Sequence, residues 1–150
     1  MQIFDPRSEA AIATLHPKAR EKARAFMALA VPAMEAHGLV VKIINGTRTY
    51  AEQNELYAQG RTTPGRVVTR APAGYSNHNF GVAFDCALFR GPAYLDDDPH
   101  YAGLGKIGQS VGLEWGGSWK FSDEPHFQVP TGLTMAQMRD RVARGVDLFA

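Results

Sequence analysis

The chain has one cysteine, Cys86, among 150 residues. An intramolecular disulfide is therefore excluded, and so is any zinc site built from several thiolates. Long apolar runs are absent too: no segment approaches the ~20 residues needed to span a bilayer. The start, MQIFDPRSEAAIATL, lacks the basic stretch and apolar run of a signal peptide. Charge of one sign is also missing. A formal net charge of +1 leaves no extended nucleic-acid footprint, only scattered basic residues such as Arg61, Arg66 and Arg70. No repeat, low-complexity stretch or linker divides the chain. These absences lead us to expect one domain over residues 1–150, made in the cytoplasm and acting as a monomer. No nucleic-acid partner, membrane insertion or separate wall-binding domain is expected. An apolar content of 45% and a charged content of 21% are ordinary for a chain with a real core.

Local signals divide the chain into alternating elements. Asp5-Pro6 reads as an N-cap and first-turn proline, opening a helix to about Leu15. Lys18 to His37 reads as a longer helix, kinked or split by Pro32 and ended by Gly38. Leu39 to Ile44 is a β-branched apolar run, a core strand, and Asn45-Gly46 turns the chain. Thr49 and Glu52 form a capping box for a helix to about Ala58. Arg61 to Asn77 is a long loop. Gly81 to Phe89 is a strand whose alternation puts Asp85 with Gly81, Ala83 and Ala87, opposite Val82, Phe84, Cys86 and Leu88. Cys86 is accordingly a buried small hydrophobe. Pro99 to Gly112 reads as a helix weakened by Gly103, Gly105 and Gly108. Gly116-Gly117 turns between Trp115 and Trp119, His126 to Val129 is a short strand, and Thr134 with Gln137 caps a last helix ending near Gly145.

Two segments carry chemistry: SNHNFGVAFD (Ser76 to Asp85) and DEPHFQ (Asp123 to Gln128). His78, Asp85 and His126 supply two imidazoles and a carboxylate, enough for a tetrahedral zinc with one open position. Histidines also serve as ordinary core or surface residues, and the residue types alone leave both readings open. His16 and His37 read as partners of helix C-termini, and His100 belongs to a solvated acidic loop with Asp96, Asp97 and Asp98. Strand alternation would put Glu124 on the face of His126, but Pro125 breaks regular geometry, so either Asp123 or Glu124 could be the proton acceptor. Trp115, Trp119 and Phe121 could wall a cleft or simply fill the core.

The first segment resembles the S-x-H-x-x-G-x-A-x-D motif of the M15 zinc peptidases (the VanY/VanX-like fold). This family includes D-Ala-D-Ala dipeptidases, D,D-carboxypeptidases and phage L-alanyl-D-glutamate endopeptidases. DEPHFQ resembles the second motif, with an acidic residue three before the last histidine. GTRTYAEQNELYAQGRT, VVTRAPAGYSNHN and WGGSWKFSDEPHFQ resemble the endopeptidase branch, so the likeness extends from about Asn45 to Gln128. It implies an α+β fold, a small antiparallel sheet flanked by helices, of the Hedgehog/D,D-peptidase-like type. It also implies zinc held by His78, Asp85 and His126, with Asp123 rather than Glu124 as general base. Arg48 would steady the substrate or oxyanion, and Ser76 would lie close to the substrate.

The function implied is a zinc metallopeptidase cleaving the stem peptide of peptidoglycan, at the L-Ala–D-Glu bond, in the manner of a phage endolysin. Such an enzyme would collect in the cytoplasm and reach the wall when the membrane is breached. A D,D-carboxypeptidase or dipeptidase of the same family, and a non-catalytic zinc-binding module at the wall, are the alternatives.

Overall fold

The computed structural model describes all 150 residues. Five helices surround a five-stranded antiparallel sheet: α1 (Pro6–Ala13), α2 (Pro17–Glu35), β1 (Val40–Asn45), α3 (Tyr50–Ala58), β2 (Ala83–Arg90), β3 (Ala93–Leu95), α4 (Tyr101–Ser110), β4 (Glu114–Trp115), β5 (His126–Gln128) and α5 (Met135–Ala143). This is the expected α+β architecture. The main strand order is β1-β2-β5-β4. β2 pairs with β1 along one edge, and with both β5 and β3 along the other. No helix is long and apolar enough to cross a membrane.

The sheet divides the molecule by its two faces. Phe84, Cys86, Leu88 and Phe127 lie fully buried on one face, where Phe26 of α2 packs its ring 5.9 Å from Phe84 and 4.8 Å from Phe127. These belong to a cluster of 20 buried residues drawn mainly from α1, α2, α4, β1, β2 and β5. Asp85 and His126 occupy the other face, as alternation requires.

Sequence signals explain most boundaries. Asp5 caps α1 by accepting from the Ser8 amide, and capping boxes at Thr49/Glu52 and Thr134/Gln137 open α3 and α5. Gly38 follows α2 at φ 70°, where a side chain would be strained. Pro32 does not split α2, which runs unbroken to Glu35. It sits near the end of the helix on the exposed side, as does Ala28, whose carbonyl loses its partner to the proline; water can take that bond. His16 is also not a C-terminal partner. It caps the N-terminus of α2, its Nδ1 accepting from the Lys18 amide at 3.1 Å while its Nε2 lies 3.0 Å from Asp147. The His16 amide donates to the Gly81 carbonyl and so does not continue α1. The short strands β3 and β4 follow from pairing with their neighbours, not from any run of their own.

The glycines of α4 do not weaken it at random. A Cβ on Gly105 would stand 2.3 Å from the Trp115 ring, and one on Gly108 would stand 2.4 Å from Phe127. Both glycines let aromatic rings of the sheet lie directly on the helix backbone.

Candidate metal centre and cleft

Register brings the key side chains together. β2 and β5 pair Asp85 with His126, placing a carboxylate and an imidazole side by side on one sheet face. His78 arrives from a single 3₁₀ turn (Asn77–Asn79) capped by Ser76, whose Oγ accepts from the His78 amide. A bulge in β1 between Ile43 and Asn45 sets Asn45 opposite Asp85. The Asn45 Nδ2 donates to Asp85 Oδ2 at 3.2 Å.

The donor atoms of His78, Asp85 and His126 all lie within 4.8 Å of one another. Asp85 Oδ1 is 3.3 Å from His78 Nε2 and 3.5 Å from His126 Nδ1. It is buried and has no hydrogen-bond partner. Each imidazole is held on its far nitrogen: His78 Nδ1 is 3.0 Å from the Gly46 carbonyl, and His126 Nε2 is 2.7 Å from Gln128 Oε1. Both partners only accept, so each far nitrogen carries the proton. In the neutral histidines this turns two bare lone pairs and an unpaired carboxylate oxygen toward one point, an arrangement that a cation satisfies. Burial pushes the Asp85 carboxyl up, but the adjacent His126 and His78 imidazoles outweigh it when they carry a proton toward it, so the carboxyl then sits well below its ordinary range. Burial likewise opposes the His126 charge, yet Asp85 and Gln128 raise its pKa overall.

A cleft of about 470 Å³ opens over this cluster. Arg48, Ser76 and Asp123 line it, as does Trp119, whose ring lies 4.9 Å from that of His126. Asp123 is half exposed, its Oδ2 4.0 Å from His126 Nδ1. Burial and the nearby Asp85 carboxylate push its pKa up, against the pull of His126 and His78. Glu124 does not line the cleft. Its carbonyl instead accepts from Trp115 Nε1 at 2.7 Å. Arg48 is fixed by Gln53, which accepts from its Nη1 at 2.7 Å and is itself fully buried. Trp115 packs on α4, and Phe121 is 85% exposed away from the cleft. Arg61 lies over the Tyr57 ring and not in the cleft. His37 and His100 face each other at 4.6 Å, with His100 bonded to Asp98, remote from the cluster.

Asn45, the Gly46 carbonyl, Gln53 and Gln128 escape a reading of residue types. Only Gln128 left a signal: it stands two residues past His126 on a strand, hence on the same face.

Comparison with known proteins gives the family and the fold. Residues 69–129 match a peptidase M15 family profile described as D-alanyl-D-alanine carboxypeptidase. The peptidoglycan L-alanyl-D-glutamate endopeptidase CwlK of Bacillus subtilis (strain 168) is 39% identical over 126 residues, covering 77% of this chain and 73% of CwlK. Among solved structures, the Serratia marcescens L-Ala D-Glu endopeptidase ChiX superposes with a TM-score of 0.59 at 23% identity, over 86% of this chain and 90% of ChiX. The D,D-pentapeptidase VanY from a VanB-type resistance cassette, in complex with Zn(II), gives 0.51 at 14% identity over 89% of this chain and 81% of VanY.

Proposed function

This chain belongs to the M15 family of metallopeptidases, and on that premise we propose that it hydrolyses the stem peptide of peptidoglycan with zinc, cutting between L-Ala and D-Glu. The observation that carries the proposal is the bare Asp85 Oδ1 facing two oriented imidazoles at the floor of a cleft. Two nitrogens and one carboxylate suit zinc, with a position left over. When bound by His78 Nε2, Asp85 Oδ1 and His126 Nδ1, zinc supplies Lewis acidity to the scissile carbonyl and to water.

The remaining steps belong to the chain's own side chains. Asp123 takes the proton of the attacking water and returns it to the leaving amine, a role suited to a carboxylate whose pKa is raised by burial. Arg48, held by Gln53, offers its remaining N–H donors to the developing oxyanion or to a substrate carboxylate. Ser76 acts chiefly by capping the turn that delivers His78.

Mass spectrometry of purified muropeptides after digestion tests the proposal. The expected products are peptides with a new D-Glu amino terminus. Release of terminal D-Ala instead would favour a carboxypeptidase, the activity that the family profile's description names. Hydrolysis that persists after chelation would reject the scheme. A lytic role belongs to the same proposal and predicts clearing of cells whose walls are exposed to added enzyme.

A further inference from the structure

β5 lies between β2 and β4, and its register sets Gln128 directly across from Glu114. The Gln128 amide therefore bridges two groups: its Oε1 stands 2.7 Å from His126 Nε2 and its Nε2 stands 3.0 Å from Glu114 Oε2. A carboxylate cannot donate, so the amide group facing Glu114 is the NH₂, and the oxygen is left for His126. An amide oxygen cannot donate either, so His126 Nε2 holds the proton and Nδ1, the nitrogen beside Asp85, is bare.

We propose that Glu114 is a positioning residue for the metal centre: by orienting the Gln128 amide, it fixes the His126 tautomer whose Nδ1 can bind metal. The proposal rests on reading His126 as a metal ligand. Gln128 alone does not suffice, because an amide can turn over with almost no change of shape and present its NH₂ to His126. Nε2 would then accept, Nδ1 would carry the proton, and the ligand would be lost. Asp85 pulls in that direction, since a carboxylate oxygen 3.5 Å from Nδ1 favours a proton there. The Glu114–Gln128 pair opposes it. Glu114 does not touch the cleft; with Gln128 it lines a separate cavity of about 220 Å³.

Zinc affinity, measured by competition with a chromophoric chelator, tests this together with the imidazole ¹⁵N shifts of metal-free protein above the histidine titration range. Glu114→Lys places a donor against the amide and turns it over. It should weaken zinc binding by roughly 10–100-fold and move the His126 proton from Nε2 to Nδ1. Adding Gln128→Glu to that variant restores an acceptor for His126 and should recover both readouts. Wild-type affinity with an unmoved proton in Glu114→Lys would overturn the proposal. Loss in both variants would mean damage to the β4–β5 pairing and would also overturn it. A proton that moves as stated in a protein that binds no zinc even as wild type would uphold the relay and refute the metal reading.

Discussion

Asp123 and Glu124 are adjacent carboxylates with different surroundings. The Asp123 side chain opens into the cleft beside His126, whereas Glu124 is tied through its carbonyl to Trp115. Strand alternation cannot separate them, because Pro125 precedes the strand and His126 donates its amide back to the Asp123 carbonyl, closing a turn where alternation would need extended chain. The consequence is asymmetric. Asp123→Asn should lower kcat by about 10²–10⁴-fold while zinc still binds, and Glu124→Gln should leave kcat within a few fold. Equal losses in the two variants, measured on one muropeptide, would remove Asp123 from the mechanism. Side chains whose task is direct contact left marks in the sequence as residue types in motifs. Those that act at one remove, such as Asn45 and Gln53, left none, since their effect comes from a bulge and a buried helix position.

Elements were legible where chemistry marks their ends. Caps at Asp5, Thr49 and Thr134 announce helices because side-chain oxygens must satisfy first-turn amides. β3 and β4 carry no such mark, being strands only by virtue of what they lie beside. The glycines of α4 show why propensity alone misreads an element. Gly105→Ala gains helix propensity of about 1 kcal/mol but drives a methyl into the Trp115 ring, and such overpacking costs about 1–3 kcal/mol or more. A Cβ at Gly103 meets only the Met34 Cε, at 3.8 Å. Gly103→Ala should therefore raise the melting temperature and Gly105→Ala should lower it. Thermal denaturation checks both, and a stabilised Gly105 variant would show that Trp115 can move aside.

At the scale of the whole molecule, two faces of one sheet separate stability from chemistry. The buried cluster of 20 residues includes none of His78, Asp85 and His126, so chelation should loosen the protein without unfolding it, unlike a small zinc finger. With zinc at a hundred times its dissociation constant, binding adds about 2.7 kcal/mol. Its removal should lower the melting temperature by roughly 5–10 °C, restored by adding zinc; a melting temperature indifferent to zinc would argue that the folded chain does not bind it. The wall of the cleft is built differently from its floor. Val68, Thr69, Ala71 and Tyr75 lie within 61–76, a stretch with no helix or strand. It is moored to α3 by Gln53 bonding to the Ala71 carbonyl and by the Ala73 amide bonding to Asn54. The floor answers to strand register, the wall to a few tethers. Segments grafted between Arg61 and Ala73 could therefore be exchanged to admit other peptides, so selectivity can diversify at the pace of a surface loop while the hydrolytic apparatus is inherited intact.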